Sequence, residues 1–158
     1  MLDVWPTLPL AIWCDRTGGV DNIIAALERR ERVCQIALVN VQSLDFGIYL
    51  EALQQPFPEL TNLLIWLDDY SVPVVPNSFL GGSAPCLEFL QLNGVPFPGL
   101  PKLLLSATHL VDLHLIDLPH SGYISPDVMV TALSSLASLE HLLLEFQSPR
   151  SCPDQASR

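Results

Sequence analysis

The stretch CLEFLQLNGVPFPGLPKLLL, residues 86–105, decides the fold. It sets leucines at 87, 90 and 92, follows them with Asn93 and Gly94, and then breaks into prolines. A single block of this kind reads as one strand buried on one face, because alternating apolar residues fit a sheet. Recurrence turns it into a repeat. Aligned on L-x-x-L-x-L, the block returns as Leu60, Leu63, Ile65 and as Leu110, Leu113, Leu115, with Val33, Ile36, Leu38 before them and Leu139, Leu142, Leu144 after. Trp5, Leu8 and Leu10 read as a weaker first copy.

The six middle positions, 8, 36, 63, 90, 113 and 142, are spaced by 28, 27, 27, 23 and 29 residues. That spacing matches the leucine-rich-repeat period of about 20–29 residues. The connectors supply what such a unit needs. In FGIYLEALQQP, Phe46, Tyr49, Leu50 and Leu53 recur as one apolar helical face, and Pro56 stops it, which predicts a helix over 46–55. DNIIAALERRERV predicts a helix over 21–32 with Asp21 as its cap and Ile24, Ala25 and Leu27 inward. SPDVMVTALSSLAS predicts one over 125–138, opened by Ser125 and Pro126, with Val130, Leu133, Leu136 and Ala137 as the inner stripe. SVPVVPNSFLGGSAP is too rich in proline and glycine for a regular helix and predicts a turn-rich crossover with a short helical piece at Ser78 to Leu80. LPKLLLSATH has room for two helical turns.

Strand, crossover and parallel strand, repeated, give an α/β leucine-rich-repeat solenoid with about six parallel strands on the concave face and helical or irregular crossovers on the convex face. Residues 1–147 form that domain, and the Ser/Pro/Arg-rich 148–158 read as a disordered tail. The two ends of such a stack present open strand edges.

Composition narrows the function. A chain of 158 residues with 49% hydrophobic content has the size of one domain and ample material for a core. Its net charge of −10 repels phosphate backbones, which disfavours nucleic acid as a partner. Cys14, Cys34, Cys86 and Cys152 are widely separated, without metal or redox pairing, and read as reduced thiols. The first 13 residues lack a basic start and carry Asp3, Pro6 and Pro9, a poor secretory signal. No apolar run is long enough to span a membrane. A soluble protein of the cytoplasm or nucleus is the expectation.

The run from Ser78 to Phe146, together with DNIIAALERRERVCQIAL and PFPELTNL, resembles the leucine-rich region of the fungal F-box-like leucine-rich-repeat proteins, over nearly the whole chain. The resemblance implies target recognition in a ubiquitin ligase, with an N-terminal F-box docking a Skp-type adaptor. Residues 1–20 already begin the repeats and leave no room for an F-box of some forty to fifty residues, so a Skp-type adaptor is reached only through a missing F-box. The chain reads as the repeat portion of a longer protein or as a truncated relative.

Signals for chemistry are weak. LGGSAP, 80–85, lacks the spacing and lysine of a phosphate loop and the Gly-x-Ser-x-Gly elbow, so it reads as a turn. Asp68–Asp69 reads as a solvated turn, and His109 and His120 fall off the strand face. Asp112, His114 and His141 share that face, and neighbouring strands about 4.8 Å apart permit a shared metal. A polar binding rim accounts for the same three residues. No cofactor, catalytic residue or metal is therefore assigned, and the chain reads as non-catalytic.

The register instead marks a binding face. Its outward residues include Leu64, Trp66, Phe89, Gln91, Asn93, Asp112, His114, Ile116, His141, Leu143 and Glu145. Trp66, Leu64 and Phe89 read as an apolar anchor bordered by Asp112, His114, His141 and Glu145, the pattern of a protein-binding hot spot with a polar rim. The alternatives are a face covered by further chain, a structural remnant without a partner, and, last, a metal-binding or enzymatic protein using Asp112, His114 and His141.

Overall fold

The computed structural model describes residues 8–16, 19–68 and 73–146. Six strands, β1 (Leu10–Cys14), β2 (Val33–Val41), β3 (Asn62–Leu67), β4 (Phe89–Asn93), β5 (Asp112–Leu118) and β6 (His141–Phe146), form one sheet in sequence order. Every neighbouring pair is parallel. Between them run the helices α1 (Val20–Leu27), α2 (Ser43–Ala52), α3 (Leu100–Leu104) and α4 (Pro126–Ser134), with 3₁₀ turns at Phe79–Gly82 and His120–Gly122. Parallel neighbours need a crossover of this length, because a tight turn can only reverse the chain.

The leucine positions stack across the whole sheet. Ile12, Ile36, Leu63, Leu90, Leu113 and Leu142 lie in register, and so do Cys14, Leu38, Ile65, Leu92, Leu115 and Leu144. From β2 to β5 these side chains are essentially sealed from water and share one core with Phe46, Tyr49, Leu53, Phe57, Phe79 and Phe97 from the crossovers. At about 25 cal/mol per Å² of apolar surface removed from water, this continuous core is the dominant stabilising contribution.

The first repeat is corrected. Its middle and third positions are Ile12 and Cys14, not Leu8 and Leu10, and Leu8 is exposed. A cysteine occupies a leucine's place, so a search for leucines slides four residues upstream onto Leu8. Trp5 lies outside the described residues, as do Asp69 and the 148–158 tail.

The helices sit close to their expected places with shifted ends. α1 starts at Val20 after Gly19 and ends at Leu27, leaving 28–32 as turns; its inward residues are Leu27 with Ile23, Ile24 and Ala26, whereas Ala25 faces out. α2 runs three residues earlier than predicted and buries Phe46, Tyr49 and Leu50 as expected. Along α4, preceded by Ser125, and the turn that follows it, the inner stripe is Met129, Ala132, Leu133 and Leu136, while Val130 and Ala137 face solvent. The observed stripe is therefore rotated about the helix axis from the expected one: the thioether of Met129, flexible enough to fill irregular gaps, takes the core in place of Val130. The 3₁₀ turn at Phe79–Gly82 replaces the short piece placed at Ser78 to Leu80.

Strand ends are set by left-handed residues. Asn40 (φ 55°), Gly94 (φ 70°) and Asp117 (φ 53°) each follow the third repeat position by two residues, and the ladder skips a residue at Asn40 and at Asp117. Asn, Asp and Gly are the residues that tolerate this backbone region, so these bulges turn the chain toward its crossover.

The two sheet ends differ. On β1, Ile12 and Cys14 are buried, whereas β6 leaves Leu142, Leu143 and Phe146 exposed. Among the described residues, no helix is long and apolar enough to cross a membrane.

Candidate interaction face

The sheet face away from the crossovers carries the odd positions of the pattern in three rows. One row is Ala11, Gln35, Asn62, Phe89, Asp112 and His141; the next is Trp13, Ala37, Leu64, Gln91, His114 and Leu143. The third holds Val39, Trp66, Asn93 and Ile116. Alternation along each strand forces this separation, since successive side chains point to opposite faces. All the expected face residues from Leu64 to Leu143 thus appear together, and Glu145, two residues beyond Leu143 in β6, is exposed.

Trp13 was missed. It is 68% exposed, and Trp66 is 42% exposed. Ala37 stands between Trp13 and Leu64 in the same row, so a small side chain separates two large ones across three strands. Their backbones lie two strand spacings, or about 10 Å, apart. Just past the ends of β1 and β3, Arg16 Nη2 donates to Asp68 Oδ2 at 2.9 Å, with both side chains exposed. Asn40, with its amide turned to donate, reaches both oxygens of Asp68 at 3.1 and 3.2 Å.

At the other end of the face, His141 Nδ1 lies 2.7 Å from Asp112 Oδ1. His114 turns elsewhere and meets the Phe89 ring edge-on, with centroids 5.7 Å apart and planes at 72°. Phe89 is therefore half-buried, less exposed than the two tryptophans. Asp112, His114 and His141 do not converge on one point, and among the described residues no group of three His, Cys, Asp or Glu side chains is arranged to hold a metal ion. Asp68 occupies the loop position expected of it. His109 caps a turn through Nδ1, 3.1 Å from the Pro85 carbonyl, and His120 lies in the turn before α4, both off this face.

A rule that admitted cysteine at the third leucine position would have found Trp13, because the sequence around it, Ile12-Trp13-Cys14, repeats the apolar-outward-apolar pattern of Leu63-Leu64-Ile65. Compared with known proteins, the chain matches no family model, no curated protein and no solved structure.

Proposed function

We propose that this chain is a leucine-rich-repeat solenoid, residues 1–147, whose open sheet face binds another protein and performs no chemistry of its own. The in-register stacking of leucine-type positions across all six strands supports the repeat reading. The observation that carries the binding reading is the pair Trp13 and Trp66, two indoles held in water on a rigid sheet. Tryptophan is the residue type most enriched in binding hot spots, and a rim of Arg16, Asp68, Asp112 and His141 supplies the polar border such hot spots have. Resemblance adds the more specific reading: these are the target-recognition repeats of a ubiquitin-ligase subunit in the cytoplasm or nucleus, which would reach a Skp-type adaptor through an F-box outside the repeats. Neither nucleic acid nor a membrane enters the reading, given the net charge of −10.

The test is capture from a cell extract at physiological salt, followed by titration of the purified partner. A saturable partner whose binding is lost in the Trp13→Ala/Trp66→Ala double variant supports the reading. Capture of chaperones alone, or a partner indifferent to both tryptophans, overturns it.

A further inference from the structure

We propose that Asn93–Gly94, at the end of β4, is a spontaneous deamidation site that the closed sheet holds inert, and that its chemistry makes opening of β4 from β5 irreversible. The inference concerns a covalent site inside the sheet and stands apart from the binding reading.

The sequence sets the hazard. Of the five asparagines, Asn22, Asn40, Asn62, Asn77 and Asn93, only Asn93 precedes glycine. Ile23, Val41, Leu63 and Ser78 follow the other four. Cyclisation of asparagine needs the backbone nitrogen of the next residue to reach the side-chain carbonyl carbon. Glycine puts no Cβ in the way and leaves the backbone free to turn. The fold requires glycine here, since Gly94 has φ 70° and a Cβ on it would lie 3.1 Å from the Leu67 carbonyl oxygen.

The sheet supplies the lock. Asn93 is the last residue of β4, in register with Trp66 of β3 on one side and Ile116 of β5 on the other. The N–H of Gly94 donates to the Ile116 carbonyl at 3.0 Å. The attacking nitrogen thus has its proton in a ladder bond and its peptide plane held between two strands, while the Asn93 side chain stands off the sheet face. Attack requires that bond to break and the peptide to rotate, which means opening the end of β4.

Once the end is open, the Gly94 nitrogen loses its proton and bonds to Asn93 Cγ, the Cγ–Nδ2 bond breaks, and ammonia leaves. Water then opens the succinimide ring. Cleavage of the new Cγ–N bond gives aspartate on the original main chain, which can re-form the ladder with a negative charge beside Trp66. Cleavage of the original peptide bond gives isoaspartate, whose main chain runs through Cβ and Cγ and is one atom longer. The Gly94 N–H is then displaced from the Ile116 carbonyl, and the two-residue side-chain period fails at the strand end. An opening that ends in isoaspartate is not reversed.

The test is to hold the full chain in mildly alkaline buffer, native and in guanidinium chloride, and map its peptides by mass spectrometry with chromatographic separation of aspartate and isoaspartate. In denaturant Asn93 should convert first among the five asparagines. In the native chain its rate should fall at least about tenfold, because only the open fraction reacts. Hydrogen exchange of the Gly94 amide under the same conditions should be slowed by the same factor, within about threefold, since one opening frees both groups. Leu113→Ala removes packing between β4 and β5 and should speed native deamidation and Gly94 exchange together, whereas Leu44→Ala, on the exposed side of α2, should change neither. The native and denatured wild-type rates decide the matter even where Leu113→Ala does not fold. Equal rates in buffer and denaturant, faster conversion of Asn77 than of Asn93 in denaturant, or slow deamidation without matching protection of the Gly94 amide would each overturn the proposal.

Discussion

Cys14 Sγ lies 3.6 Å from the Tyr49 hydroxyl, joining the edge strand β1 to helix α2 across 35 residues of chain, and both side chains are sealed from water. Burial pushes the Tyr49 pKa well above the usual 10, and the hydrogen bond to Cys14 followed by the nearby Cys14 and Asp45 charges push the same way. A raised pKa means that the folded chain holds the proton where the unfolded chain releases it. Stability from this group is thus complete below about pH 10 and falls as pH rises past it. Thermal melts from about pH 8 to about pH 11 should show a decline that Tyr49→Phe flattens. At neutral pH the same substitution should cost about 0.5–1.5 kcal/mol, the lost hydrogen bond. Parallel declines in both proteins would contradict the assignment.

Leu90 is fully buried at the middle repeat position, between Leu63 and Leu113 of the flanking strands. Leu90→Ala removes packing on both sides and should cost about 2–5 kcal/mol in denaturant unfolding. Leu44 on α2 is 80% exposed, so Leu44→Ala should change stability by less than about 0.5 kcal/mol. A small loss for Leu90→Ala would mean that the strands are not stacked as described.

The interior of the sheet was legible because its signal is redundant. Leu63, Leu90 and Leu113 each announce a strand, and the 27 and 23 residues that separate them leave room for a crossover, which makes the strands parallel. The edge repeat was not, since Cys14 stands where the pattern asks for leucine and the Leu-Pro segment upstream offers a decoy. Helix bodies were legible from apolar spacing, whereas the rotation of α4 turns on which of Met129 and Val130 fills a gap, a packing outcome that periodicity does not contain. For the same reason, the face residues were predictable by alternation, but the pairing of Phe89 with His114 and the burial that follows from it were not.

Two glycines should respond with opposite signs. A Cβ on Gly122 would sit 2.8 Å from Pro96 Cα and 2.9 Å from Phe97 N, where the turn before α4 rests on the preceding crossover. Backbone cannot yield as a side-chain tip does, so Gly122→Ala should destabilise by about 1–3 kcal/mol. Gly47 lies within α2 with nothing within 4 Å of its Cβ position. Gly47→Ala should stabilise by about 0.5–1 kcal/mol through helix propensity and lost unfolded-state freedom. Urea titrations of both variants decide it, and matching signs would contradict the packing around Gly122.

The proposed binding face makes a graded prediction. Trp13 and Trp66 project from strand positions whose inward neighbours, Ile12, Cys14, Ile65 and Leu67, are buried, so truncating either indole leaves the core intact. Trp13→Ala and Trp66→Ala should each weaken a partner by about 2 kcal/mol or more, with unfolding midpoints nearly unchanged. Phe89→Ala should behave differently. Its ring is half-buried against His114, and removing it loosens the face itself, so stability and affinity should fall together. Arg16→Ala breaks only the solvated pair with Asp68 and should cost less than about 1 kcal/mol in either measurement. Calorimetric titration beside denaturant unfolding separates the three behaviours. If Phe89 alone governs affinity and both tryptophans are silent, the contact centre lies toward β4 and β5, and the β1–β3 part of the face is not the site of recognition.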